Sequence, residues 1–538
     1  MAGSSCSRAC RRVAFLFLKA LVVACAMTGV VAAAGAAPAA SPAPPRWLKV
    51  RDLSEAAADA VIPDVAVDSR GDVVVVWVQA KASVWTVQEV DRSAGGSWSA
   101  PQALSAPANQ VASPQVAAAG STAIAVWDRY DGKNLIAQAA DRDPKTGTWA
   151  PATSLSAPGR DADSPKIALN ARGDAVAVWA SVGPFGWTVQ SAYRPAGGTW
   201  GTAVNLEPPQ QGTAAPDVAL DSSGRAVVVW AATSGAGWNV NAASRDVDGV
   251  WSAASPLSGP DASGSIAPQL GLDGAGNVTA VWSRSTGTNA IVESATRAAG
   301  RGAWSAPRQI SPDGPDALAP LIAVNGRGDA VMVWTSSGQT GLVVDAAFRK
   351  RGGDWSPASL LAVFGPFTPQ VSIDARGNAL ALWSHSTSSG SRVQAASLVA
   401  ASSSWTQPRD LSKPGSDALT PAVSLDSHGD GAVAWTRYSG QTFVVQVIGY
   451  DGSGPALDKL VVPTSGVVGT RLIFSVAPND VWAAVRRVRW TFGDGSVAQG
   501  RQAGHVYRRP GRYAAQVTAT DSFGHITSVR RWVRISVG

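Results

Sequence analysis

The sequence predicts an all-β chain: an eight-bladed β-propeller followed by a small β-sandwich. Three observations carry this reading. A phrase written Pro165-Lys-Ile-Ala-Leu-Asn-Ala-Arg-Gly-Asp-Ala-Val-Ala-Val-Trp179 occurs eight times along the chain. Each copy is followed by a second apolar strand, and seven of them also by a Trp-led tail. One spare tail, Trp47-Leu-Lys-Val-Arg-Asp-Leu-Ser54, stands before the first copy, where closing a ring would need it.

The copies begin at Pro63, Pro114, Pro165, Pro216, Pro268, Pro320, Pro369 and Pro421. They end at Trp77, Trp127, Trp179, Trp230, Trp282, Trp334, Trp383 and Trp435, so one supersecondary unit recurs about every fifty residues. The first part of a copy, such as Asp64-Val-Ala-Val-Asp68, alternates and reads as strand A. The second, such as Val73-Val-Val-Val-Trp77, is short, apolar and β-branched, and reads as strand B covered on both faces. Between them Asp68 to Asp72, Asn170 to Asp174 and Asp374 to Asn378 fit a type I turn with a Gly bulge. The second copy, at Ala119-Gly-Ser-Thr122, is one residue shorter and predicts a tighter turn. Strand C is exemplified by Trp187 to Arg194, and strand D is the Trp-led tail, as at Trp98 to Ser105.

The eighth copy lacks a tail after its third strand, Phe443 to Tyr450. The last four residues of the spare tail, Arg51-Asp-Leu-Ser54, repeat Arg409-Asp-Leu-Ser412. The expectation is that residues 47–54 complete the last blade. Seven blades plus one odd repeat is the alternative count. The domain reading is a leader over 1–36, an Ala/Pro-rich linker over 37–46, the propeller over 47–457 and the sandwich over 458–538.

The leader has Arg8, Arg11 and Arg12 before an apolar run from Val13 to Cys25, then Ala34-Gly-Ala36 as a cleavage site, which predicts a secreted protein. Val22-Val-Ala-Cys25 also resembles a lipobox, which would place the protein at the cell surface through Cys25. Cys6, Cys10 and Cys25 all lie in this segment, so cleavage after Ala36 leaves no thiol and no disulfide. No later apolar stretch reaches the length of a membrane span.

From Asp458 the pattern changes. Trp490-Thr-Phe-Gly-Asp-Gly495, His505-Val-Tyr507, Gly511-Arg-Tyr513 and Thr520-Asp521-Ser-Phe-Gly524 occur in that order. This segment resembles the PKD family, which implies an immunoglobulin-like β-sandwich. Read from the residues, the alternating runs at Arg471 to Val476, Tyr513 to Ala519 and Arg531 to Val537 give the same sandwich. A repeat array joined to such a module is similar to secreted actinobacterial PKD domain-containing proteins.

Lys and Arg number 45 against 38 Asp and Glu, a net +7. Residues 459–538 hold 12 of the basic and 3 of the acidic residues. A basic sandwich on an acidic repeat region could hold an anionic envelope polymer. No basic run interleaved with aromatics points to nucleic acid. His385, His428, His505 and His525 are the only histidines, and no His-Glu-x-x-His, Cys–His or EF-hand phrase occurs. No metal or cofactor is therefore expected. Strand C carries a polar pair four residues apart, as in Gln88/Arg92, Gln190/Arg194 and Asp345/Arg349, which fits bonding between blades. Leu398 and Tyr450 break the Arg row in the last two repeats.

The A–B and C–D turns are nearly uniform, as a scaffold requires, while the B–C loops differ in length and chemistry. Trp85, Tyr130, Phe185, Trp187, Trp238 and Tyr438 stand in those loops and are the candidate ligand-binding residues. Exposed aromatics with polar neighbours suit sugar rings or a protein edge; packing between blades is the competing reading. The function expected is an exported, monomeric, non-enzymatic binding or adhesion protein for a glycan or protein ligand, with the PKD module as spacer or anchor. The alternative is a secreted propeller-type glycoside hydrolase or polysaccharide lyase, which would need two carboxylates roughly 5–9 Å apart.

Overall fold

Strand B of the first repeat, Val73–Lys81, is buried from Val73 to Val78, because it has a sheet on either side. Its neighbours Asp59–Val67 (strand A) and Val84–Arg92 (strand C) pair with it antiparallel, and Gln102–Ala103 (strand D) closes the sheet. This computed structural model describes residues 44–538 except 235–236, 259–263, 301, 340 and 364–365. The leader, its cleavage site, Cys25 and linker residues 37–43 lie outside the described residues. Among the described residues the chain is all β, with eight small sheets of A–B–C–D order before the C-terminal domain. No helix there is long and apolar enough to cross a membrane.

The turn between strands A and B forms as its residues require. In the first repeat Gly71 N–H donates to Asp68 O at 3.0 Å, and Gly71 sits at φ 82°. Asp68 Oδ1 accepts from the N–H groups of Arg70 and Asp72, both at 2.9 Å, which locks the turn. The shorter second copy has a two-residue turn, with Ala119 paired to Thr122.

The repeat's Pro does not begin strand A but lies inside it. The register slips there, between Val61 and Asp64 in the first sheet. The preceding residue takes a positive φ in seven sheets, at Ile62, Ser113, Ser164, Ala215, Ala267, Ala319 and Thr420. Pro has no N–H for the ladder, so the strand bulges around it. A left-handed non-Gly residue costs roughly 1–2 kcal/mol, so each repeat holds this bulge against its local preference.

Successive sheets pack face to face through their Trp residues. Trp127 of the second sheet lies on Val74 and Val76 of the first, and Trp179 of the third on Ile124 and Val126 of the second. Trp77 of the first sheet packs with Ala432, Ala434, Val445 and Val447 of the eighth. In four sheets the indole N–H is met within the sheet, as where Trp179 Nε1 donates to Gln190 Oε1 at 3.0 Å and Trp383 Nε1 to Gln394 Oε1 at 3.0 Å. This is the work of the recurring strand C glutamine.

The eighth sheet, built on Ala418–Leu425, Gly431–Tyr438 and Phe443–Asp451, takes its outer strands from the start of the described chain. Arg46–Trp47 and Arg51–Asp52 both pair with Phe443–Asp451. Leu53 N–H donates to Val445 O at 2.8 Å and Val445 N–H to Ser54 Oγ at 2.9 Å. In the seventh sheet Leu411 and Ser412 make the same two bonds to Val393, at 2.8 and 3.0 Å.

The C-terminal domain has a three-stranded and a five-stranded sheet around Phe474, Trp490, Phe492, Tyr507, Val517 and Val533. His505 stacks on Phe492 with centroids 4.1 Å apart and bonds Asp494 Oδ2 at 2.7 Å, and Tyr507 donates to Phe492 O at 3.0 Å. Asp494 is thereby held as a turn residue. The domain meets the first repeat through residues 479–482. Arg92 Nη1 donates to Val481 O at 2.7 Å and Gly95 N–H to the same carbonyl at 3.0 Å.

Candidate functional site

The six aromatics singled out from the sequence stand at the B–C end of five successive sheets, the eighth and the first four. Their surroundings divide them into three kinds. Trp85, Trp187 and Trp238 are half-buried. The Trp85 backbone exchanges hydrogen bonds of 2.8 and 3.0 Å with Ala108, and that of Trp187 bonds of 2.9 and 2.7 Å with Gln210. The Trp238 ring covers Gly212, where an added Cβ would lie 3.1 Å from it. The strand C ends that carry these tryptophans therefore brace the D–A loops. Tyr130 and Tyr438 bend over their own hairpins, their hydroxyls donating to Gly132 O at 3.0 Å and Gly440 O at 3.1 Å. Phe185 projects from its turn with 83% of its surface exposed.

Beside Tyr438 a cavity of about 660 Å³ opens between the seventh and eighth sheets. Asp52, Lys413, Arg437 and Gln446 contribute its polar wall and Pro414 and Tyr438 its apolar one. Gln446 Nε2 donates to Asp52 Oδ1 at 2.6 Å, which ties the outer strand to this wall.

A second set of polar groups was missed by the sequence reading. The residue after the repeat's Pro is Asp64, Gln115, Lys166, Asp217 and Gln269 in the first five sheets. Asp64 Oδ2 accepts from Val116 N–H at 2.8 Å and Asp217 Oδ2 from Leu270 N–H at 2.7 Å, each reaching the next sheet. Lys166 Nζ donates to Gln115 Oε1 at 3.3 Å. Burial pushes Asp64 up to about 6, against the pull of the Val116 N–H and of Lys166. Burial likewise raises Asp217, with Lys166 again opposing it. The signal in the sequence was the change of chemistry at one fixed offset from a repeated Pro.

A third cluster joins the last repeat to the C-terminal domain. Asp451, Asp521 and His525 are buried, with candidate ligand atoms within 4.8 Å of one another. His525 Nδ1 lies 2.8 Å from Asp451 Oδ1 and 3.2 Å from Asp521 Oδ2, and Nε2 lies 3.0 Å from Pro44 O. With Nε2–H given to the carbonyl, a second proton on Nδ1 serves both carboxylates. Burial opposes that proton, but Pro44 O, Asp451 and Asp521 together raise the imidazole above its ordinary value. Burial and Asp480 raise Asp451. Among the described residues this is the set whose atoms could hold a metal ion. No spacing rule could have found it, because it draws on Asp451 from a repeat and on the sandwich's Asp521 and His525.

No curated protein matches the chain in sequence. Among solved structures, an ulvan lyase of polysaccharide lyase family 25 is 10% identical, over 61% of this chain and 92% of that one, with a TM-score of 0.42. The intramolecular trans-sialidase from Ruminococcus gnavus is 10% identical over 63% and 94%, with a TM-score of 0.37. The PKD1 domain of the Vibrio cholerae metalloprotease PrtV is 19% identical over 16% and 99%, with a TM-score of 0.14. The PKD domain family matches residues 453–537. The chain thus ends in a PKD domain, preceded by an array of small β-sheets.

Proposed function

We propose that the eight sheets form one closed eight-bladed β-propeller, and that the protein is an exported, non-enzymatic binding or adhesion protein. Its B–C loop face meets a glycan or protein ligand, and the PKD domain serves as spacer or as an anchor to an anionic envelope polymer. Closure is supported by the packing of the first inner strand, Asp59–Val67, against the last, Ala418–Leu425. The ligand part rests on one observation: the cavity at Tyr438 joins an aromatic face to Asp52, Lys413, Arg437 and Gln446. A ring face with convergent hydrogen-bonding groups is what a sugar requires.

The test is glycan-array binding by the mature chain beside Tyr438→Ala and Trp187→Ala. The expected result is a glycan signal that Tyr438→Ala removes and that Trp187→Ala weakens. Binding to no glycan, or unchanged binding by both variants, sinks the glycan reading.

The second reading is a secreted propeller-type glycoside hydrolase or polysaccharide lyase, favoured by Asp64 and Asp217 beside Lys166 on the inner strands. It expects cleavage of an acidic polysaccharide that Asp64→Asn abolishes. The bonds from both carboxylates to the next sheet's backbone favour a structural role instead.

A further inference from the structure

The grooves between successive sheets, at the A–B turn end, are filled in a readable order. Between the first and second sheets Arg142 bonds Asp91. Between the second and third Arg194 Nε lies 3.3 Å from Asp141 Oδ1, and between the third and fourth Arg245 lies 3.6 Å over the Tyr193 ring. Arg297 reaches Ser244 in the next groove, and Arg349 Nη2 donates to Thr279 Oγ1 at 2.8 Å in the one after. On the seventh-to-eighth groove the eighth sheet presents its own pair Tyr450 and Trp47, centroids 4.7 Å apart, and leaves a cavity of about 380 Å³. Between the eighth and first the filler comes from the PKD domain: Trp482 lies against Arg92. Gly449 leaves it room, since a Cβ there would stand 2.8 Å from the indole.

The groove between the sixth and seventh sheets breaks the series. Its filler position is Leu398, which packs in one apolar cluster with Phe348 and has no charge or hydrogen-bonding group to carry across. A cavity of about 670 Å³ opens there, against about 390 Å³ in the groove before it and about 380 Å³ in the groove after it. Its floor is Val331, Phe348, Ile373 and Leu398, and its rim carries Arg327, Lys350, Arg351 and Arg376. The one carboxylate on the rim, Asp329, is already engaged: Oδ2 accepts from Arg327 Nη2 at 3.0 Å and Oδ1 from Arg351 N–H at 3.1 Å. Arg376 Nη1 reaches only a carbonyl, His428 O, at 3.3 Å. The rim thus keeps a surplus of exposed cations above an apolar floor.

We propose that this groove binds a small amphiphilic anion. Its apolar body lies on Phe348, Ile373 and Leu398, and its sulfonate, phosphate or carboxylate head meets Arg351 and Arg376. The volume suits one such molecule. Guanidinium groups bind these oxyanions with paired, charge-assisted hydrogen bonds. The eighth-to-first groove shows the principle within this molecule, where a flat aromatic body fills the space beside an arginine. The turns at this end of the sheets are nearly uniform in sequence and give no sign of a site. The departure lies in the strand, at Leu398.

The test uses 8-anilinonaphthalene-1-sulfonate fluorescence with the full chain. One saturable site is expected. Leu398→Arg, which restores the arginine of the first six repeats, should weaken it at least about tenfold. The exposed pair Arg351→Glu/Arg376→Glu should do the same with an unchanged thermal unfolding temperature, so the proposal is testable even where Leu398→Arg does not fold. The uncharged N-phenyl-1-naphthylamine should bind about tenfold more weakly than the sulfonate. Parent affinity in the charge-reversed pair, or in folded Leu398→Arg, overturns the proposal, as does equal binding of the uncharged analogue. Competition by dodecyl phosphate assigns the natural ligand to acyl-chain anions, competition by 2-naphthoate to aromatic acids, and displacement by neither overturns it.

Discussion

The guanidinium of Arg92 lies 4.3 Å from the centroid of the Trp482 ring, which couples the first repeat to the PKD domain. The contact sits in a groove whose counterparts, apart from that between the sixth and seventh sheets, carry fillers from within the repeats. Trp482 therefore acts as a borrowed filler. Trp482→Ala removes a half-buried indole and a stacked cation, and should cost about 3 kcal/mol in urea unfolding. Arg92→Lys keeps the charge but loses the planar stack and should cost less than the alanine change. Equal stability of the parent and Trp482→Ala would show that the indole contributes nothing to the coupling of the two domains.

Gly449 makes the same contact testable from the other side. A Cβ at this position would lie 2.7 Å from Leu48 Cδ1 as well as 2.8 Å from Trp482. Gly449→Val should displace both and cost roughly 1–3 kcal/mol. In Trp482→Ala the added side chain gains room, so the double variant should be more stable than the two single losses summed. A double-mutant cycle in urea reads that coupling directly.

The outer strand of the eighth sheet predicts a different failure. Residues 46–54 cover the edge of Phe443–Asp451, and deleting them exposes an apolar strand with free backbone groups. The deleted chain should self-associate by edge pairing, seen as concentration-dependent species in light scattering. The milder Ser54→Ala removes the acceptor of Val445 N–H and should cost about 1 kcal/mol without association. Ser412→Ala, which leaves Val393 N–H in the same state, should cost the same.

How much of this was legible depended on whether a feature belonged to the repeat. Strands A, B and C were readable because a buried strand between two sheets must be apolar at every position, as Val73 to Trp77 is. The completion of the eighth sheet was readable because Arg51-Asp-Leu-Ser54 copies Arg409-Asp-Leu-Ser412, and the two segments make matching bonds. The bulge at each Pro was not readable, because Pro at a strand's start and Pro inside one leave the same apolar alternation behind them. The domain junction was illegible for another reason. Trp482 and Gly449 form a pair only because the fold brings a sandwich loop against the eighth repeat. The aromatics of the B–C loops stand at the end that the strand order dictates, but their exposure depended on loops such as that at Gln210, whose path no local pattern specifies.

The carboxylate of Asp430 gives the clearest dependence on pH. It is buried, with Oδ1 accepting from Gly452 N–H at 2.9 Å and Ser453 N–H at 3.1 Å. Burial, followed by the charges of Asp426, Asp451 and Asp480, raises it to about 9. The folded chain therefore keeps a proton that the unfolded chain releases near its ordinary value of 3.8. Where the native state binds more protons, stability falls as pH rises, so this contribution is present below the unfolded value and is lost on the way to about 9. The slope is roughly 1.4 kcal/mol per pH unit, or about 3 kcal/mol between pH 6 and pH 8. Asp430→Asn keeps an oxygen to accept from Gly452 and Ser453 but has no proton to lose. Urea unfolding at the two pH values should show the parent losing about 2–3 kcal/mol more than the variant. Equal losses would mean that Asp430 is ionised in the folded chain and that its repulsion by Asp426, Asp451 and Asp480 is relieved in some other way.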